Sequence, residues 1–342
     1  MPEPGAGTWG RLLERLEALR ALGSAGFKSG RTDGRAARSR KPPQPAVQVA
    51  VVTDSAAALP QGWLDQAPAW FRHVPMPVMV GEEIYSSADL AEGEERVSER
   101  LSLALAMGET VRTSRPSPAT LAAAYRELEA AGYSSILSVH LSAELSGTAD
   151  AARIAAGQCG VPVHVLDSRT AAMCQGFAVQ TACALAGEGA PLELVTAGAE
   201  ASLASSTVHF YVPSLEQLRR GGRIGNAASW LGTVLAIKPI LGIAGGKVVP
   251  VERVRSSARA LARLEELAGA AAKGIPEESL GLAVHHFGSP QAAADLAGRL
   301  TASFPSAPPV VMSTLPPVLA AHVGLGVLAI VSAQLPPREL SS

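Results

Sequence analysis

Apolar residues along this chain follow two rhythms. Short continuous runs close on small polar residues, and longer stretches repeat an apolar position every three or four residues. Val49–Thr53 is the first such run and ends in Asp54-Ser55, the pattern of a buried parallel strand entering a loop. Ser135–Leu141 and Val161–Leu166 repeat it, the second running into Asp167-Ser168. Between the runs lie helical stretches. Pro118–Ala131 sets Leu121, Tyr125 and Leu128 on one face, with Ser117 as N-cap, Pro118 in the first turn and Gly132 as the stop. Gly147–Ala156 and Thr170–Ala186 predict two more helices. Strand, loop and helix in repeating order predict a parallel sheet with helices on both faces.

The rhythm changes after about residue 190. Val208–Val212 predicts a strand, and Ser214-Leu215-Glu216-Gln217 a capping box that opens a short helix ending at Gly221-Gly222. Asn226 is placed to cap a second helix reaching Leu235. Ile237–Ile243 and Lys247–Val254 flank Ala244-Gly245-Gly246 and predict a β-hairpin. Ser257–Ala272 predicts a helix, and Leu280–His285 and Val327–Val331 predict strands. The expected fold class is therefore α/β with two domains. An N-terminal parallel-sheet α/β domain covers 47–190, and a C-terminal mixed or antiparallel α+β domain covers 191–342. No internal repeat is visible.

Charge singles out the first 46 residues, which hold nine Lys/Arg against four acids in a chain of net charge −1. Thr8–Leu22 predicts an amphipathic helix carrying Leu12, Leu13, Leu16, Leu19 and Leu22. Gly23–Pro45 then reads as a basic linker, so 1–46 is expected to be a flexible extension. The near-neutral total and the 4% aromatic content point away from nucleic acid as a partner. The three cysteines, Cys159, Cys174 and Cys183, form no CxxC pair. They fit free thiols in a reducing cytoplasm. The longest apolar run, Val318–Ala333, is 16 residues broken by His322, shorter than the ~20 that span a membrane. The N-terminus lacks the order of a signal peptide.

Four clusters carry candidate chemistry. Thr113-Ser114-Arg115-Pro116-Ser117 and Ser142-Ala143-Glu144-Leu145-Ser146-Gly147-Thr148 both precede helices at what read as equivalent strand ends. Hydroxyls and free N–H groups at a helix N-terminus suit a carboxylate or phosphate; the same hydroxyls serve equally well as helix caps. Arg219-Arg220-Gly221-Gly222-Arg223-Ile224-Gly225 puts three cations around a double glycine. Dipole compensation accounts for Arg219 and Arg220 but not for Arg223. Ala321-His322-Val323-Gly324-Leu325-Gly326 sets a histidine beside two glycines. His285-His286 makes a poor chelating pair, because neighbours on a strand face opposite ways, so no metal site is expected. A hydrolase or transferase using Ser146, with a histidine and Asp167, is the competing reading, although no G-x-S-x-G elbow is present.

Taken together the motifs resemble the DegV family, the fatty-acid-binding proteins that serve bacterial fatty acid kinase. The residues that carry the resemblance are Val52-Thr53-Asp54-Ser55, Thr113–Ser117, Leu141–Thr148, Asp167-Ser168, Leu218–Ile224, Ile237–Leu241 and His322-Val323-Gly324, in family order across roughly 48–332. Ala58, Ser87 and Leu325 depart from the family pattern. The resemblance implies one long-chain fatty acid bound between two domains. Its carboxylate would meet Thr113 or Ser114, Ser146 and His322. Arg223 and Arg255 would face the kinase or handle the phosphoryl group. A separate ATP-binding kinase would make the acyl phosphate, so this chain would be a carrier and not an enzyme. It would need no cofactor, and transient contact with a membrane surface would be compatible with that role.

Overall fold

In a computed structural model, residues 9–12, 14–18, 47–230 and 238–336 are described. Strand β1, Val49–Asp54, is buried along its whole length. The reason is visible in where its side chains go. Val49 and Val51 face the main core, while Ala50 and Val52 face a second cluster with Leu121, Tyr125 and Leu128. A strand covered on both faces has no polar side to alternate with, hence the continuous apolar run. β1 pairs in parallel with β2 (Phe71–Val74) and β6 (Ser135–His140), and β6 pairs in parallel with β7 (Val163–Asp167). The order is β2-β1-β6-β7.

Helix α1 lies at 9–12 and 14–18, and the short α2, Gln61–Leu64, follows β1. A small antiparallel sheet, β4-β3-β5, is built from β3 (Val78–Val80), β4 (Glu83–Tyr85) and β5 (Val111–Thr113). Between β4 and β5 runs α3, Ser87–Met107, opened by a Ser86/Asp89 capping box and kinked at Gly93. Helices α4 (Pro118–Ala130) and α5 (Thr148–Ala156) cover the outer face of the parallel sheet.

The second sheet has the order β10-β9-β8-β13-β11-β12 and is antiparallel except for β11–β12. Its strands are β8 (Thr207–Tyr211), β9 (Lys238–Ala244), β10 (Lys247–Val254), β11 (Leu280–Phe287), β12 (Val311–Thr314) and β13 (Val327–Gln334). On β13, Val327, Ala329, Val331 and Ala333 enter the main core. Leu328 and Ile330 enter a separate cluster under α9 (Ser257–Ala271) and α10 (Pro290–Ser303). Between the two sheets lie α6 (Met173–Gly187) and α7 (Leu192–Ser205), each touching both β6 and β13. α6 is predominantly apolar because most of it is buried. The layers thus run helix, sheet, helix, sheet, helix. The expected boundary at 190/191 falls in the turn between α6 and α7, a helix pair that both sheets share.

Several expectations shift. Within the extension expected at 1–46, Trp9, Leu12 and Leu16 are at most 4% exposed and join the main core. Burying three large apolar side chains is enough to hold a helix that charge alone would leave in solvent. Leu13, Leu19 and Leu22 lie outside the described residues. The helix expected from Thr170 begins at Met173, because Arg169 and Ala172 both take positive φ. Ser214 makes no capping box: its Oγ accepts from Glu216 N–H at 3.1 Å, and α8 spans Glu216–Arg220. Gly225–Trp230 is a 3₁₀ turn, and the remainder of the helix expected after Asn226 lies outside the described residues. The hairpin forms as expected with Gly245-Gly246 at its tip.

Candidate functional site

A pocket lies between the two sheets and encloses about 850 Å³ of empty space, part of it open to solvent. Its walls are apolar: Leu141, Phe210, Ile243, Val248, Leu315 and Val318 come from both halves of the chain. Among the described residues, polar lining is confined to Thr113, Ser114, Arg115, Ser146, Arg223 and His322. Five of the six residues singled out from the sequence therefore meet here. The sixth, Arg255, sits exposed just past β10, outside the lining.

Each polar group has a local cause. Thr113 ends β5 and is held in register opposite Val78, so it comes from the small antiparallel sheet. The two strand ends that read as equivalent therefore belong to different sheets. Ser146 follows β6 of the parallel sheet, in a loop turned by Leu145 and Ser146 N–H groups donating to Ser142 O. Its Oγ lies 2.8 Å from Thr148 Oγ1 at the start of α5. Ser114 is exposed and its Oγ donates to Arg115 O at 3.2 Å. His322 rides on α11, Pro317–Val323, which packs on β5 and α8.

His322 Nε2 stands 2.8 Å from Thr113 Oγ1, while its Nδ1 is buried without a protein partner. Burial, and then the charge of Arg223, push its pKa down to about 4. The imidazole is therefore neutral at pH 7. Gly221 makes room for the ring: a Cβ there would stand 2.3 Å from Nδ1. Its neighbour Gly222 serves a different end, since it takes φ +69°. Arg223 is turned inward. Its Nε donates to Leu145 O at 3.0 Å and its Nη1 to Gly221 O at 2.5 Å. The guanidinium ties the Ser146 loop to the turn after α8, so it lies in the pocket wall and not on the outer surface.

A second set of bonds fastens the hairpin tip to the same loops. Ser142 Oγ donates to Gly246 O at 2.7 Å, Arg169 to Gly245 O at 2.9 Å, and Lys247 pairs with Glu144 at 3.3 Å. Asp167 accepts from the Ala143 and Arg169 N–H groups at 3.1 and 2.9 Å. Asp167 is thus a loop fastener, and the Ser146–His–Asp167 grouping does not assemble.

A Ser–His–Asp chain does exist elsewhere. His140 Nδ1 lies 2.9 Å from Asp54 Oδ2, and His140 Nε2 lies 2.7 Å from Ser138 Oγ, which in turn lies 2.8 Å from Tyr125 Oη. All four side chains are fully buried, so no substrate reaches Ser138 in this arrangement. Asp54 also accepts from the N–H groups of Ala56 and Leu141, and Gln175 donates to it. The polar end of β1 is therefore scaffold: it fixes where Leu141 leaves β6 and enters the pocket loop. Sequence reasoning missed this role for His140 and Gln175, although the adjacency of Asp54 to a strand end was legible. His285 is likewise structural, accepting from Met173 N–H at 3.2 Å.

Comparison with known proteins gives the family. A model of uncharacterised proteins of the DegV family matches residues 48–335. The chain belongs to the DegV family. It is 42% identical to a DegV domain-containing protein of Streptomyces coelicolor over 287 residues, 83% of this chain and 97% of that protein. It is 31% identical to protein DegV of Bacillus subtilis, covering 83% of this chain and 98% of that one. Among solved structures, a DegV family protein from Thermus thermophilus described by its fatty acid binding superposes with a TM-score of 0.73 at 32% identity, over 84% of this chain and all of that one. DegV of B. subtilis, described as a fatty acid binding protein, gives 0.72 at 30% identity, over 84% of this chain and 99% of that one. Among the described residues, no helix is long and apolar enough to cross a membrane.

Proposed function

We propose that this DegV family member is a carrier that buries one long-chain fatty acid in the pocket between its sheets. On this reading it presents the carboxylate to a separate kinase that forms the acyl phosphate. The observation that carries the reading is the segregation of the pocket: apolar walls from both sheets, and polar groups gathered in one region around Thr113, Ser146 and His322. An acyl chain of about 14 methylenes gains ~11 kcal/mol on leaving water. A carboxylate drawn along with it needs hydrogen-bond donors, because burying it unpaired is very costly. Hydroxyls and a neutral imidazole supply such donors. The fatty acid binding described for the T. thermophilus and B. subtilis structures supports the same ligand class.

Thr113, Ser146 and His322 are the proposed carboxylate contacts, with Ser114 at the exposed rim. Arg223 braces the loop that holds Ser146. Arg255, exposed and outside the pocket, is the cation left to meet a kinase. The hydrolase reading loses its support at Ser146, whose hydroxyl is bonded to Thr148 and lies in no Ser–His–Asp chain. Extraction of the purified protein and mass spectrometry of the extract test the proposal. One fatty acid per chain is expected. Absence of any bound or bindable fatty acid, or ester turnover that vanishes in Ser146→Ala, would overturn it. Kinase presentation is tested separately, by acyl-phosphate formation with a bacterial fatty acid kinase and ATP.

A further inference from the structure

The polar end of the pocket poses a question of charge. A carboxylate brings one negative charge, yet Thr113, Ser114 and Ser146 are neutral donors. His322 is uncharged at pH 7, its pKa held at about 4 by burial and Arg223. Arg223 is cationic, but Nε and Nη1 of its guanidinium already donate to the carbonyls of Leu145 and Gly221. Among the described residues, the one other cation in the lining is Arg115.

Arg115 is placed where a headgroup would arrive. A Cβ on Gly147 would stand 2.6 Å from Arg115 Nη1 and 3.3 Å from Arg115 Cδ, so the side chain lies across Gly147. That position adjoins Ser146 and the first turn of α5. A guanidinium beside a helix N-terminus sets two positive ends together, which is unfavourable unless an anion sits with them. The acidic side chains nearby on the same loops have other partners: Glu144 pairs with Lys247, Asp167 receives backbone N–H groups, and Asp150 pairs with Arg153. Among the described residues, no carboxylate pairs with Arg115.

Resting on the fatty-acid reading above, we propose that Arg115 supplies the positive charge that retains the ligand's anionic headgroup at the pocket mouth and so selects acids over neutral lipids. Arg115 extends over Gly147 to meet the headgroup from the solvent side, while Thr113, Ser146 and His322 meet it from within. Because Arg115 is exposed, the selectivity falls as salt rises.

The test compares two probes, a saturated long-chain fatty acid and the fatty alcohol of the same length, on the full chain. In the parent protein the acid is expected to bind roughly 10- to 150-fold more tightly than the alcohol, the worth of a hydrogen bond to a charged group. Arg115→Gln should bring the acid to within a few-fold of the alcohol and leave alcohol binding unchanged. Arg115→Lys should keep part of the preference, and Arg255→Ala, which removes a cation outside the pocket, should keep all of it. An unchanged acid-to-alcohol ratio in Arg115→Gln would overturn the proposal. So would an equal loss for both probes, which would mark Arg115 as a brace of the loop. Failure of the parent protein to bind either probe would instead overturn the fatty-acid reading beneath it.

Discussion

Replacing Gly221 with alanine separates the geometry of the carboxylate end from the stability of the fold. Gly221 has φ −75°, which alanine adopts without strain. Alanine at such a site stabilises a protein by about 0.4–1 kcal/mol through the unfolded state. The cost is therefore one of space alone. The new Cβ would stand 2.3 Å from His322 Nδ1 and 3.2 Å from Gln217 O, where ordinary contact begins at 3.4 Å. The imidazole must shift by about 1 Å, so its Nε2 cannot keep its present hydrogen-bond geometry to Thr113. The Thr113–His322 bond, now 2.8 Å, is lost in the free protein at a cost of about 0.5–1.5 kcal/mol, which offsets the gain. Melting temperature should therefore move by no more than a few degrees. Fatty acid affinity should fall by roughly 10- to 150-fold, because a donor to the charged carboxylate is displaced. Titration with a fluorescent fatty acid and differential scanning calorimetry on the same preparation read both quantities. Gly222→Ala is the control, since φ +69° predicts a loss of stability there. Unchanged affinity in Gly221→Ala would refute the placement of His322 at the ligand's headgroup.

Other outcomes follow from the same structure. Ser146→Ala, alone or with Thr113→Ala, should weaken fatty acid binding roughly 10-fold or more in titrations while leaving the circular dichroism spectrum intact. Trp9→Ala should destabilise the protein by about 3–5 kcal/mol in denaturant unfolding, because Trp9 is 3% exposed in the main core; an unchanged midpoint would return residues 9–18 to a free arm. His285 has its pKa pushed down to about 4, chiefly by burial, with Ser313 opposing and His286 adding to the shift. A depressed histidine binds its proton more readily in the unfolded chain, so stability is full above pH 6.5 and falls as pH drops toward 4. The loss from this group is up to about 3 kcal/mol, and His285→Gln should remove that part of the pH dependence from urea unfolding curves.

How much of this was legible in the sequence depended on the length of each signal. β1, α4 and β6 stood out because Val49–Thr53 and Ser135–Leu141 are apolar runs closed by polar residues and the Leu121/Tyr125/Leu128 stripe repeats at helical spacing. β3 and β5 are three residues long, too short for any period, and yet β5 carries Thr113. Among its described side chains, α3 shows Val97, Leu101, Ala104 and Leu105 as a buried stripe within a charged segment. The extension was read from its charge, and charge describes the exposed face of a helix while Trp9, Leu12 and Leu16 decide where the other face goes. The motif positions led to the pocket, but not to the direction of Arg223. Whether a guanidinium points out to a partner or back to a carbonyl depends on where Leu145 O lies, 78 positions away in the chain.

The same distinction bears on carrier against catalyst. Catalysis by a serine needs an accessible hydroxyl backed by a base and an orienting acid. Here those properties are divided between two places. Ser138 has the base and the acid, but it is sealed under Tyr125 in the layer between the parallel sheet and its outer helices. Burial pushes the Tyr125 pKa up to about 12, so its hydroxyl keeps its proton and the chain of bonds stays closed. Ser146 faces the pocket, but its near neighbours are a threonine hydroxyl and the backbone of α5. The buried chain does mechanical work instead: Asp54 grips the Leu141 N–H at 3.1 Å and so sets where the Ser142–Ser146 loop begins. Directional bonds from Asp54 to the Leu141 N–H and to His140 hold that loop start in one place better than apolar packing alone would. On the carrier reading proposed above, a site that holds a carboxylate has a use for that rigidity, and none for a nucleophile.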